Sequence, residues 1–138
     1  MRVSLPFTVL TNAEVPVASL DPAVRWYGEK LGAETQWQRG GRAFLALPGE
    51  GVRLFLVETR DPARLGFVGP DGILQHGGLD FYATDLAEAH GLLSARGVDV
   101  DPLAPGAMGF GFRDLDGNRF GVHSDRESYE HRRRTPTL

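Results

Sequence analysis

The residues able to do acid, base or ligand chemistry stand at alternate positions in a few short segments. Asn12 and Glu14 are two apart, as are Asp80 and Tyr82, and Arg119, Gly121 and His123 follow the same spacing. Alternate side chains on an extended chain share a face, so each set is presented together. Glu14 and Asp80 suit a general acid and base where a cleft raises one pKa by like-charge repulsion. Carboxylates on a β-face are also common partners of arginine, here Arg53 and Arg119. His123 adds a base, a hydrogen-bonding group or a ligand. His90 is expected on the surface of a helix and His131 in a solvated tail. The absence of Cys excludes thiol and disulfide chemistry. There is no nucleophile elbow, phosphate-binding loop or dinucleotide fingerprint, and Gly109-x-Gly111 sits inside a predicted strand.

The elements that must position these groups are legible from patterning. Residues 108–125 read as a hairpin: Asp116-Gly117-Asn118 supplies the turn, and Phe110, Phe112, Phe120 and Val122 alternate with small or polar residues around it. Residues 42–59 repeat that pattern without gaps, 66 residues earlier, pairing Phe44 with Phe110, Gly51 with Gly117, Arg53 with Arg119 and Leu56 with Val122. Residues 12–18 alternate with Val15 and Val17 on one face. Residues 78–84 carry Phe81 and Ala83 in their places and Asp80 in that of Glu14.

A helix follows each of these strands. The first is predicted to be capped by Asp21 with Pro22 at its first position, to bury Val24, Tyr27 and Leu31, and to stop at Gly32. The second carries a capping box, Asp85 with Glu88, buries Leu86, Ala89 and Leu93, and stops at Gly97. Further strands are predicted at residues 5–10, 33–39, 42–47, 52–58 and 98–103. Residues 60–75 hold Pro62, Gly66, Gly69, Pro70 and Gly72, a linker composition. The fold class is therefore α+β, built from two tandem β-α-β-β-β modules in one domain over residues 1–125. Module one spans about 5–59 and module two about 76–125, with the linker at 60–75 and a polar tail at 126–138.

Composition narrows the partners. A net charge of −3 gives no general attraction to nucleic acid, and the one basic run, Arg132-Arg133-Arg134, sits in the tail beside Glu127 and Glu130. The first residues lack an apolar targeting core, and no run approaches the ~20 apolar residues of a membrane span. A cytoplasmic protein with no membrane or nucleic-acid partner is expected.

Two segments resemble a known family. Val-Ala-Ser-Leu-Asp-Pro-Ala-Val-Arg-Trp-Tyr-Gly-Glu-Lys-Leu-Gly (17–32) is similar to the helix signature of the vicinal-oxygen-chelate superfamily, the glyoxalase, bleomycin-resistance and extradiol-dioxygenase proteins. Phe-Arg-Asp-Leu-Asp-Gly-Asn-Arg-Phe (112–120) is similar to its last hairpin. The resemblance implies a curved mixed sheet around a cleft. Val15, Val17, Leu54, Leu56, Phe81, Ala83, Phe120 and Val122 would then pack under the helices, and the opposite, mixed face would line the cleft. Carried over by motif, the family's metal-ligand positions are Asn12, Gly78 and Gly121, with Phe55 matching Gly121 through the repeat. Gly and Phe have no donor atom, and a lone Asn carbonyl is a weak ligand for Fe, Zn, Ni or Mn.

The expectation is thus a glyoxalase/bleomycin-resistance-like protein without cofactor. It would bind a small aromatic or cationic organic molecule through Asn12, Glu14, Phe55, Asp80, Tyr82, Arg119 and His123, with stacking from Trp37 and Phe44. Clefts of this family commonly lie between subunits or modules, so a homodimer is expected. The alternative is a lyase, isomerase or dioxygenase with a displaced divalent metal such as Fe or Zn. His76 lies two residues before Gly78 and His123 two after Gly121, and antiparallel pairing, implied by the resemblance, would make them neighbours, with Glu14 or Asp80 adding a carboxylate.

Overall fold

The computed structural model describes residues 6, 10–49, 51–70, 72 and 75–124. The tail at 126–138, with His131, lies outside them, as does the expected leading strand at 5–10 apart from Pro6 and Leu10.

Strand β1 (Asn12–Val17) leads into helix α1 (Leu20–Leu31), followed by β2 (Glu34–Arg39), β3 (Arg42–Ala46) and β4 (Arg53–Glu58). They form a four-stranded sheet in the order β1-β4-β3-β2, with β1 parallel to β4 and the other pairs antiparallel. The linker, expected to hold no element, carries a two-residue ladder, β5 (Phe67–Val68) against β6 (Gln75–His76). The order then repeats: β7 (Asp80–Tyr82), helix α2 (Leu86–Ala95), β8 (Asp99–Val100), β9 (Gly109–Arg113) and β10 (Arg119–His123), in a sheet ordered β7-β10-β9-β8. β8 is shorter than the strand predicted at 98–103. Gly78, at φ +82°, stands before β7 rather than in it.

Two pairing expectations need correction. β7 and β10 are parallel, with Asp80, Phe81 and Tyr82 opposite Gly121, Val122 and His123. Four chain reversals separate them, through α2, β8 and β9, so the chain returns in its starting direction. The 66-residue repeat is also gapped. It holds for β1 with β7 and for β4 with β10, but the loop at 114–118 is one residue shorter than that at 47–52. Phe44, opposite Phe55, therefore corresponds to Gly111, opposite Gly121, and not to Phe110. A one-residue slip reverses the face: Phe44 lies half-buried on the mixed face while Phe110 is buried in the core.

The helix ends also differ from expectation. The N-cap of α1 is Ser19, whose side chain makes no capping bond. The Leu20 amide donates instead to Glu58 Oε2 at 2.8 Å, so the end of β4 caps the helix it packs against. Asp21 accepts from Gln38 Nε2 at 2.6 Å. Gly32, at φ +68°, ends α1 as predicted. In α2 the Asp85 side chain accepts from the Glu88 amide at 3.0 Å, as the capping box requires.

Both apolar sheet faces share one core. Val15, Val17, Leu54, Leu56, Phe120 and Val122 are buried, with Phe81 and Ala83 partly buried against them. Tyr27 of α1, fully buried, crosses from module one to meet Phe120 edge-on at 6.3 Å between centroids. Each fully buried large apolar side chain contributes about 1.5–3 kcal/mol. Val24 and Leu31 flank Tyr27 only partly buried. α2 buries no residue at all; Leu86, Ala89 and Leu93 reach the core at its margin.

The turn of the last hairpin locks the modules together. Asp114 Oδ1 accepts from the amides of Asp116 (2.9 Å) and Asn118 (2.8 Å). Its Oδ2 accepts from Asn118 Nδ2 at 2.8 Å and from the Tyr27 hydroxyl at 2.5 Å. Asn118, fully buried, also donates to the Pro16 carbonyl and accepts from the Leu65 amide, both at 2.8 Å. Asp116 accepts from the Ala18 amide at 2.9 Å. Burial, followed by the neighbouring Asp114 charge, pushes the Tyr27 hydroxyl far above the ordinary tyrosine range.

Candidate functional site

Because the apolar faces of both sheets meet in one core, the mixed faces point away from it, and neither covers the other within one chain. Each face is built on one row of residues in register. In the first sheet the row runs Glu14, Phe55, Phe44, Trp37 across β1, β4, β3 and β2. Its three rings touch: Trp37 stacks on Phe44 at 6.0 Å and meets Phe55 edge-on at 5.5 Å, and Phe44 meets Phe55 at 5.8 Å. Arg39 lies 5.6 Å from the Trp37 ring. Trp37 is 40% exposed, and Glu14, at the end of the row, is exposed and in no ion pair among the described residues.

In the second sheet the equivalent row is Asp80, Gly121, Gly111, with Asp101 donating its amide to the Gly111 carbonyl at 2.8 Å. Both glycines have charge above them. A Cβ on Gly121 would collide with Asp80 Oδ1, and one on Gly111 with Asp101 Oδ2 and Arg119 Nη2. Arg119, 7% exposed, donates from Nη2 to Asp101 Oδ2 at 2.7 Å, while its Nε and Nη1 are buried without an acceptor. The expected pairing of Arg119 with Asp80 or Glu14 gives way to Asp101 because Asp101 shares its face two strands away. Arg113 reaches both Asp99 (3.3 Å) and Asp101 (3.4 Å). Tyr82 and His123, opposite each other, make an edge contact at 5.9 Å.

The predicted residues therefore fall in two groups. Asn12, Glu14 and Phe55 belong to the first face; Asp80, Tyr82, Arg119 and His123 belong to the second. Sequence reasoning missed Asp99, Asp101 and Arg113. The signal was present as the alternation of Asp99 and Asp101 in a predicted strand. His90, expected on the surface, is half-buried, with Nε2 2.9 Å from the Asp101 carbonyl and its ring 5.1 Å from Phe110.

The sequence pattern described as Glyoxalase/Bleomycin resistance protein/Dioxygenase superfamily matches residues 9–122. The chain belongs to this superfamily. Its fold is shared by TnmS3, an antibiotic binding protein from Streptomyces sp. CB03234, with a TM-score of 0.68 and 24% identity over 88% of this chain and 98% of that one. A superfamily member from Sphaerobacter thermophilus superposes with a TM-score of 0.67 and 21% identity, over 88% of this chain and 100% of its own. The fosfomycin resistance protein FosX from Listeria monocytogenes, in complex with Mn(II) and sulfate, gives a TM-score of 0.67 at 16% identity, over 94% of this chain and 99% of its own. No curated protein matches. Among the described residues no helix is long and apolar enough to cross a membrane.

The residues at the superfamily's metal positions do not fit a metal. Asn12 is exposed and accepts from the Thr11 hydroxyl, Phe55 is part of the ring cluster, Gly78 has no side chain, and the space over Gly121 belongs to Asp80. The displaced set fails by topology. His76 lies in β6, stacked on Phe67 at 5.3 Å, and the adjoining Gly77 packs against the Arg119 end of β10. His123 ends the same strand, about 13 Å along at ~3.3 Å per residue. Of the two carboxylates, Glu14 is in the other sheet, and Asp80 stands opposite Gly121, two residues along β10 from His123. No group of three or more His, Cys, Asp or Glu among the described residues is placed to hold a metal ion.

Proposed function

We propose that this protein binds a small, flat organic molecule without a metal, in a cleft completed when two copies bring the aromatic face of one against the charged face of the other. The row of Trp37, Phe44 and Phe55 carries the reading, with Trp37 exposed and the two phenylalanines half-buried. Three touching rings on an open sheet face are an apolar surface that a monomer has reason to cover, and a planar ligand stacks on them without directional demands. Glu14 at one end of the row favours a cationic substituent. On the facing sheet, Tyr82 and His123 supply polar edges, with the buried Arg119 guanidinium held beneath that face on Asp101. The likeness to TnmS3, an antibiotic binding protein, supports the same reading.

Two measurements test it together. Sedimentation at micromolar concentration is expected to give a dimer. Planar heteroaromatic cations, added to protein purified without a His-tag, are expected to quench Trp37 fluorescence saturably, with affinity lost in Phe44→Ala. Stoichiometric Fe, Zn, Ni or Mn in that preparation, lost in His123→Ala, would replace the binding reading with a metal enzyme.

A further inference from the structure

On the opposite side of the second sheet, beside α2, runs an open groove of about 280 Å³. It exists because α2 stands off its sheet: the helix buries no residue, whereas α1 buries Leu20, Ala23 and Tyr27. Leu31, Leu47, Phe81, Ala89, Leu93 and Phe112 line it, so its interior is apolar. Lys30 and Arg96 stand at the lining where the last turn of α1 meets the end of α2. Each donates to the other's backbone carbonyl, Lys30 Nζ to Arg96 O at 2.5 Å and Arg96 Nη1 to Lys30 O at 2.9 Å. Those bonds hold both cations at the groove without neutralising them, and neither is in an ion pair among the described residues.

We infer that this groove is a second ligand site, for a medium-chain carboxylic acid whose alkyl chain lies beside α2 and whose carboxylate meets Lys30 and Arg96. The lining away from Lys30 and Arg96 is mostly apolar, with Tyr82 the one polar side chain among it, and the paired cations select an anionic head over a neutral one. The volume sets the length. At about 30 Å³ for each methylene-sized group, the groove accommodates on the order of ten carbons. The site shares no residue with the aromatic row of Trp37, Phe44 and Phe55, and it lies on the α2 side of the second sheet, where Tyr82 is the one residue it has in common with the cleft proposed above.

The test uses the full chain and the saturated carboxylates from hexanoate to dodecanoate, titrated calorimetrically, with 1-octanol as the neutral control. Affinity is expected to rise about fourfold per methylene, from the transfer free energy of a buried CH₂, and to level off near decanoate. Arg96→Glu, at an exposed position, is expected to weaken octanoate about tenfold and leave 1-octanol unchanged. Ala89→Trp, which fills the groove, is expected to abolish both while keeping a cooperative melt. Trp37→Ala is expected to leave octanoate binding intact.

Three results would overturn the inference. The first is no binding by wild type at millimolar decanoate, or an affinity independent of chain length. The second is octanoate lost in Trp37→Ala but kept in Ala89→Trp, which places it on the aromatic face. The third is a Leu92→Asp variant that sediments as a monomer where wild type is a dimer while octanoate does not compete, which makes the groove a contact between copies. Failure of the heteroaromatic titration leaves this site untouched.

Discussion

The two sheets hold the same frame and opposite contents. Glu14, Phe55, Phe44 and Trp37 cross the first sheet at the level where Asp80, Gly121, Gly111 and Asp101 cross the second. One row is three rings with a carboxylate at one end; the other is a glycine floor with a carboxylate on either side and the Arg119 guanidinium over it. The apolar undersides, by contrast, are alike, Leu54 and Leu56 matching Phe120 and Val122. The duplicated pattern therefore specifies packing, and each outer face is free to carry its own chemistry.

If the frame is independent of the faces, the largest loss of stability lies in the turn that locks the modules, not in either row. Asp114→Ala removes the acceptor for the Tyr27 hydroxyl, two amides and Asn118 Nδ2 at once. Leaving such a buried network unsatisfied is expected to cost about 3–5 kcal/mol in a denaturant melt. A loss below about 1 kcal/mol would show that the modules fold without the lock.

The next effect is a pH dependence confined to the same lock. Tyr27 has a folded-state pKa raised above its unfolded value near 10. The stability this contributes is fully present below about pH 10. Above it the unfolded chain releases a proton that the folded chain keeps, so stability falls by about 1.4 kcal/mol per pH unit until the folded pKa is reached. Tyr27→Phe is expected to remove that alkaline slope while lowering stability at pH 7 by about 1.5–3 kcal/mol through loss of a hydrogen bond to a carboxylate. An unchanged slope would place the titrating group elsewhere.

How much of this was legible depends on whether one strand or several had to be known. The alternation of Val15 with Val17, the αL stop at Gly32 and the Asp85 cap are local, and each is where patterning put it. The face of Phe44 was not local. It depended on one residue in a loop, which no periodicity within β3 records. The pairing of His76 with His123 failed for a related reason: strand direction is set by counting reversals through α2, β8 and β9, so His76, in β6, adjoins the Arg119 end of β10 while His123 closes its other end. Glu58 capping α1 and Asp101 pairing with Arg119 join separate elements, and although Asp101 lies in an alternating segment, nothing local names the partner of either.

On the charged face, Arg119→Met is expected to be neutral or to stabilise by up to about 2 kcal/mol. A buried arginine with one ion pair and two unmet donors gives back little of its desolvation cost, and a methionine of similar length fills the same space. Ligand affinity is expected to fall in the same variant. Parallel calorimetry and melting separate the two. A loss of stability of 3 kcal/mol or more would instead make the Arg119–Asp101 pair part of the frame, and the contrast between the sheets would weaken.

The smallest stability effect is expected on the aromatic face. Trp37 is 40% exposed and sits at the edge of its row, so Trp37→Ala forfeits two ring contacts and little core burial. Aromatic pairs contribute about 0.5–1.5 kcal/mol each beyond area, and less at an exposed site, which sets the expected loss near 1 kcal/mol. The same truncation opens the surface on which a planar ligand would stack and on which a second copy would rest. It is therefore expected to weaken both ligand binding and dimerisation by about tenfold or more while lowering the melt of the monomer by only a few degrees. A drop in stability as large as that of Asp114→Ala would mean that the rings are core after all. A small drop with binding and assembly intact would leave the row as surface, and the cleft would have to be sought on the Asp80 side alone.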